Sequence, residues 1–138
     1  MLANRLQSVV GELITENQSA LLKGRLICDC SLLAHELIRD FNKPMRSRAC
    51  IEVDLQKAFD SINREFIYFI LHYMGFSATW VNLIKECILN PTYYVMVNGC
   101  PSSYFVSTKG IRQGEPLSPY LFVIVMEFWS VHMDIFIA

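Results

Sequence analysis

Residues 49–55 alternate between apolar and acidic side chains, and this pattern constrains the fold more than any other feature of the chain. A period of two is typical of a β-strand with one buried face. The apolar residues would point to that face, while Glu52 and Asp54 would point to the other. The sequence therefore predicts a half-buried strand with two carboxylates on its polar side.

Apolar residues recur at helical spacing in most of the remaining chain. The predicted helices are residues 3–16, the segment between Ser31 and Pro44, residues 63–74, residues 77–89 and residues 117–138. Ser31 and Ser77 stand where N-cap residues are expected, and Gly75 stands where the third helix should end. Five helices are thus expected around the strand.

Residues 92–98 and 103–109 are rich in β-forming residues, and Asn98-Gly99 between them is a hairpin signal. The order of elements becomes helix, helix, strand, helix, helix, hairpin, helix. This order predicts an α+β fold in which a short antiparallel sheet has helices packed on one side. The length of 138 residues is that of one ordinary domain.

The composition limits the cellular compartments and the kinds of site that can be expected for the chain. Five cysteines without a C-x-x-C pair favour a reducing compartment and argue against a zinc site. The N-terminus lacks a signal-peptide pattern, so the nucleus or the cytoplasm is expected. Charged residues interrupt the apolar segment 117–138, which predicts a core helix rather than a membrane span.

Two segments carry residues suited to chemistry. Asp54 ends the predicted strand, where carboxylate oxygens suit a hard metal ion such as magnesium. Residues 109–119 hold Arg112 and Gln113, which could meet phosphate or base, and Gly110 and Gly114, which let a backbone approach a ligand closely. The alternatives stay open: a polar strand end for the first segment, and a hairpin exit before a capped helix for the second.

The first motif, Asp54-Leu55-Gln56-Lys57-Ala58-Phe59-Asp60, resembles the first catalytic motif of non-LTR (LINE-type) reverse transcriptases. The second motif, residues 110–119, resembles the second palm motif of that family, with Glu115 where the family usually has aspartate. Residues 17–20 and 24–25 resemble the segment that precedes the palm. The resemblance extends from about residue 4 to residue 127.

The resemblance implies roles for residues of the first motif. Asp54 would hold catalytic magnesium ions, assisted by the carbonyl of Leu55. Phe59 would lie under the sugar of the incoming nucleotide and exclude a 2′-hydroxyl. Without the resemblance, Phe59 is expected to be a core ring. Asp60 lies beyond the turn and is expected to face away from the catalytic position.

The resemblance also implies contacts with substrate outside that motif. Arg25 would contact the triphosphate, and Gln113 and Gly114 would line the nucleotide pocket. Lys57 and Arg112 would meet template or primer. The implied partners are an RNA template, a DNA primer and deoxynucleotides, although the net charge of -1 gives no overall basic surface.

The sequence holds no Asp-Asp pair, which the third palm motif of the family would supply. We expect a partial reverse transcriptase domain, with a fingers-like part over residues 1–48 and a palm part over residues 49–138 that lacks the Asp-Asp hairpin and the thumb. Such a piece is expected not to polymerise DNA alone. The alternatives are a non-catalytic nucleic-acid or protein-binding remnant, and a relic that self-associates through exposed apolar surface.

Overall fold

The computed structural model describes residues 2–39, 41 and 50–137, and they form six helices and four short strands. The helices are α1 (Leu2–Leu13), α2 (Ile27–Arg39), α3 (Ala58–Ser61), α4 (Arg64–Tyr73), α5 (Ala78–Ile88) and α6 (Ser118–Ile137). The strands are β1 (Thr92–Tyr93), β2 (Met96–Val97), β3 (Cys100–Pro101) and β4 (Phe105–Val106). The predicted α+β class is confirmed at this level.

The core lies where α4 packs against α5 and α6, and where α1 packs against α6. Its fully buried side chains are aliphatic residues at helical spacing on these four helices: Leu6, Val10, Ile67, Ile70, Leu71, Ile84, Leu121 and Ile124. The predicted core helix at the end of the chain is therefore confirmed as α6. Within the described residues, none of the helices combines the length and apolarity that crossing a membrane requires.

The predicted cap at Ser77 and the predicted helix end at Gly75 are confirmed, and Asn63 supplies a further cap that was not predicted. The side chain of Asn63 accepts a hydrogen bond from the N–H of Glu65 at the start of α4. The Ser77 hydroxyl accepts one from the N–H of Trp80 at the start of α5. Gly75 follows α4 with a φ of 85°, a conformation that costs glycine little.

The predicted cap at Ser31 is wrong. Helix α2 begins at Ile27, and the Ser31 hydroxyl lies inside it and bonds the Ile27 carbonyl at 3.4 Å. The turn at Gly24, where φ is 86°, sets the start of the helix. Asp29 in the first turn also favours the earlier start, because its negative charge is attracted to the positive N-terminal end of the helix dipole. The predicted stop at Pro44 lies outside the described residues.

The predicted strand over residues 49–55 is wrong for the residues that the structure describes there, which are 50–55. They form no strand, and Ile51 is 85% exposed. A strand exists only where another strand completes its hydrogen bonds, and no other described segment pairs with this one. The alternation therefore marks a surface that the described fold leaves uncovered.

The predicted hairpin is confirmed, with an irregularity in its middle. β1 pairs antiparallel with β4, and β2 pairs antiparallel with β3 around the turn at Asn98 and Gly99, where both φ angles are positive. Two residues separate β1 from β2, whereas three separate β3 from β4, so the second arm carries a β-bulge. The Ser102 hydroxyl closes the bulge by accepting the N–H of Val95 at 2.9 Å.

Replacing Tyr68 with phenylalanine is expected to stabilise the chain by up to about 1 kcal/mol, because its buried hydroxyl has no hydrogen-bond partner among the described residues.

Burial also raises the pKa of Tyr68. The folded state then holds this proton more tightly, so the free energy of unfolding falls as pH rises past about 10. Urea titrations at pH 8 and 10.5 should show that Tyr68→Phe removes part of this fall, whereas Tyr73→Phe at an exposed position leaves it unchanged.

Candidate functional site

A tight turn joins the segment that carries Asp54 to helix α3. Lys57 adopts the left-handed conformation, with φ 52° and ψ 47°. Its carbonyl accepts hydrogen bonds from the N–H groups of Asp60 and Ser61, both at 3.0 Å. This turn reverses the chain and directs Phe59 towards the core.

The second motif docks on this turn, backbone to backbone. The N–H of Gly110 donates to the Ile62 carbonyl at 2.8 Å, and the N–H of Ile111 donates to the Phe59 carbonyl at 2.9 Å. A Cβ at Gly110 would lie 2.7 Å from the carbonyl oxygen of Asp60. The close approach predicted at this glycine is found, but its partner is the protein backbone rather than a ligand.

Arg64, the first residue of α4, forms hydrogen bonds to the same region. Its side chain is 7% exposed. The Nε atom donates to the Gly110 carbonyl and Nη1 to the Ser107 carbonyl, both at 2.8 Å. Nη2 donates to the Ser107 hydroxyl and to the Lys109 carbonyl, both at 3.1 Å. The guanidinium thus holds the main chain that leads into the second motif.

A cleft of about 640 Å³ opens where the two motifs meet, and we call it the Asp60 cleft. Aromatic rings from the hairpin base, Tyr93 and Phe105, lie on one side of it. Asp60 and residues 106–113 supply the remaining lining. The Gln113 amide donates to the Asp60 carboxylate at 3.3 Å, so the ends of the two motifs contact each other directly.

The cations of the Asp60 cleft remain accessible to an anion. Arg112 lies 3.9 Å from the Glu115 carboxylate, and its side chain is 49% exposed. A long, solvated ion pair of this kind contributes little, and within the described part of the chain it leaves most of the Arg112 guanidinium donors without another partner. Lys109 is exposed beside it. The cleft therefore offers donors to phosphate on one side and aromatic faces on the other.

Phe59 packs into the core. It is partly buried, and its ring stacks on Phe122 with the centroids 4.7 Å apart and the planes 15° apart. This contact supports the interpretation of Phe59 as a core ring. Its part beneath a nucleotide sugar stays a prediction.

Asp54 and Leu55 are exposed on the extended segment before the turn. No group of three or more histidine, cysteine, aspartate or glutamate side chains able to hold a metal ion exists among the described residues. One carboxylate and a carbonyl are part of a ligand set, not a complete one. The described residues alone therefore do not fit a pair of catalytic metal ions.

Arg25 lies away from the Asp60 cleft. Its guanidinium is partly buried and donates to carbonyls in the last turn of α1 and in the segment that follows it: those of Gly11, Ile14, Thr15 and Gln18. It lines a separate cleft of about 650 Å³ together with Asn17, Ser19 and Asp29. These bonds give Arg25 a structural task, and its contact with a triphosphate stays a prediction.

Arg64 and Ser107 are functional-site residues that were not predicted from the sequence. A signal for Arg64 exists in the chain, because it precedes Ile67, Tyr68 and Leu71 by three, four and seven residues. That spacing puts it on the buried stripe of α4, where a charged residue must find hydrogen-bond partners. Nothing in the sequence identifies Ser107 as one of those partners.

The family model for reverse transcriptase (RNA-dependent DNA polymerase) matches residues 1–134. The chain belongs to the reverse transcriptase family. The resemblance of the two motifs to non-LTR reverse transcriptases is thereby confirmed. Enzymes of this family use a divalent metal and bind a nucleic-acid template and primer.

The relatives of this reverse transcriptase chain include proteins of non-LTR retrotransposons. It is 29% identical to the 149 kDa protein of transposon TX1 from Xenopus laevis over 89% of its length. It is 31% identical to the Pol polyprotein of the type-2 retrotransposable element R2DM from Drosophila melanogaster over 72% of its length. It is 27% identical to the R2 Pol polyprotein of Popillia japonica over 92% of its length. The chain spans 9%, 9% and 18% of these relatives' own lengths.

Proposed function

We propose that this chain forms the nucleotide-facing part of the polymerase domain of a non-LTR retrotransposon reverse transcriptase, a nucleotidyltransferase. The observation that carries the proposal is the docking of the second motif on the first. Two main-chain hydrogen bonds join the second motif to a segment about fifty residues earlier in the sequence: Ile111 donates to Phe59 of the first motif, and Gly110 donates to Ile62 just after that motif. The Asp60 cleft forms at that junction.

The chemistry of the cleft suits a nucleotide and a nucleic-acid backbone. Arg112 offers a guanidinium to phosphate oxygens, and exposed Lys57 lies on the adjoining turn. Gln113 can donate to or accept from a base or a sugar, and Gly114 leaves the neighbouring surface open. We assign Lys57 and Arg112 to template or primer, and Gln113 and Gly114 to the nucleotide. Arg25 is assigned to the triphosphate on the resemblance alone.

Asp54 and the Leu55 carbonyl are proposed as ligands of magnesium, with Phe59 beside the nucleotide sugar. The family resemblance implies nucleotidyl transfer by two metal ions, which need several acidic ligands between them. Among the described residues, no three such side chains come together to hold a metal ion. We therefore expect this chain alone not to extend a primer.

The wider assignments follow the resemblance. Residues 1–48 are proposed as a fingers-like part and residues 49–138 as part of the palm. The partners are proposed to be an RNA template, a DNA primer and deoxynucleotides, in the nucleus or the cytoplasm. Self-association is proposed through α2, on which every described side chain but that of Cys30 is exposed.

Deoxynucleotide binding tests the proposal. We expect Gln113→Ala to weaken binding of a deoxynucleoside triphosphate roughly tenfold, and Arg112→Ala to weaken binding of a primer–template duplex by a similar factor, each the equivalent of about one hydrogen bond. Arg5→Ala, which removes an exposed arginine on α1, should leave both dissociation constants unchanged. Fluorescence titrations with a labelled nucleotide and with a labelled primer–template, both in the presence of magnesium, measure these constants. Equal affinity in all four proteins would contradict the assignment.

A non-catalytic nucleic-acid-binding remnant is the second candidate, because the described residues do not form a metal site. Magnesium dependence separates the two functions. In the polymerase proposal, binding requires magnesium and is weakened by Asp54→Asn but not by Glu86→Gln on α5. In the remnant, binding is indifferent to magnesium and falls steeply with salt, because it depends on counterion release.

A further inference from the structure

Arg64 is a buried cation whose hydrogen-bond acceptors all belong to one other segment of the chain. Its four bonds end on Ser107, Lys109 and Gly110, at distances of 2.8–3.1 Å. No carboxylate is among these partners. The charge is therefore stabilised by carbonyl and hydroxyl dipoles, and their arrangement must match the planar guanidinium.

The acceptors are themselves among the residues that line the Asp60 cleft. The Gly110 peptide is held on both sides, because its N–H donates to the Ile62 carbonyl and its carbonyl accepts from Arg64 Nε. Ile62 precedes Arg64 by two residues. The start of α4 thus fixes both the position and the rotation of one peptide group. Arg112 and Gln113 follow within three residues of it.

We infer that Arg64 is a positioning residue, which sets the orientation of residues 107–113 and thereby directs Gln113 across the cleft towards Asp60. The identity of the ligand that these positioned residues bind rests on the proposed function, whereas the positioning itself is a property of the fold. An apolar side chain at position 64 would fill the same space. It would take the Arg64 donors from three main-chain carbonyls, of which, among the described residues, only that of Lys109 keeps another donor, the Ser107 hydroxyl, and it would leave the segment without a fixed rotation.

Lysine and glutamine at position 64 separate positioning from general stability. Lysine keeps the charge but presents a single ammonium group, which does not reproduce the planar fork. Glutamine keeps polarity and loses the charge. In both variants we expect the amides of Gly110 and Ile111 to exchange at least tenfold faster, while the amides of Ile70 and Leu71 change less than threefold. Arg39→Gln, at the exposed end of α2, is the control and should change neither set.

Nucleotide affinity supplies the second readout. Arg64→Gln should weaken deoxynucleotide binding about tenfold, and adding Gln113→Ala to it should cause no further loss, because a misdirected Gln113 no longer contributes. A purely structural role would instead give two losses that multiply.

The outcomes are distinct. Unchanged exchange at Gly110 and Ile111, or a uniform acceleration over the whole chain, would overturn the positioning role, as would multiplying losses in affinity. Local acceleration with coupled losses supports it. If the unmodified chain binds no nucleotide, the proposed function fails, and the exchange rates still decide the role of Arg64. If Arg64→Gln does not fold, the same measurements on Arg64→Lys decide it.

Discussion

Alanine at Gly110 is expected to destabilise the chain by about 1–3 kcal/mol more than alanine at Gly114. Both glycines have a positive φ, of 81° and 84°, so both substitutions carry a similar conformational cost of about 1–2 kcal/mol. Only at Gly110 would the new Cβ meet other atoms, since it would lie 2.7 Å from the Asp60 carbonyl oxygen and 2.8 Å from the Asp60 Cα. Backbone atoms held by hydrogen bonds on both sides have little freedom to move away.

Urea unfolding of the two variants measures this difference, because the common cost of a positive φ cancels between them. Loss of deoxynucleotide binding should accompany Gly110→Ala, since separating the two motifs opens the Asp60 cleft. Equal destabilisation by the two substitutions would mean that the motifs do not contact each other as described.

Replacing Glu127 with alanine is expected to lower the free energy of unfolding by about 2–4 kcal/mol. This carboxylate is 2% exposed on α6 and accepts both the N–H and the hydroxyl of Thr15, each at 3.1 Å. The carbonyl of Thr15 accepts from Arg25. Glu127→Ala would therefore detach the end of α1 from α6 and leave a cavity between them.

Two milder variants separate the contributions of the individual hydrogen bonds to this loss of stability. Thr15→Val removes only the hydroxyl donor and should cost about 1 kcal/mol. Glu127→Gln keeps one acceptor oxygen and should fall between the other two variants. Thermal unfolding followed by circular dichroism gives the three midpoints. A midpoint for Glu127→Ala equal to that of Thr15→Val would show that the main-chain bond contributes nothing.

Local signals in the sequence were sufficient for much of this fold. The cap at Ser77, the stop at Gly75 and the Asn98-Gly99 turn act within four residues of their effects, so they can be identified without knowledge of the tertiary structure. The segment 50–55 shows the limit of such signals. Its alternation describes a suitable strand, but a partner strand decides whether the strand forms.

The candidate site was predictable in its residues and not in its contacts. The two motifs identified Phe59, Arg112 and Gln113, and the structure places all three at or beside the junction of the motifs. Arg64 was missed because arginine in a helix is most often a surface residue. Its acceptors lie more than forty residues away, beyond the reach of any local pattern.

The β-bulge divides the hairpin into two parts that can change independently. The base carries Tyr93 and Phe105, which line the Asp60 cleft, whereas the tip beyond Ser102 does not line it. Since the Ser102 side chain takes the place of a main-chain acceptor, the ladder of the tip is not continuous with that of the base. Residues can therefore be gained or lost at the tip without shifting the cleft wall. The tip is a site where related chains could acquire different lengths, and new contacts, while the nucleotide-facing surface keeps its shape.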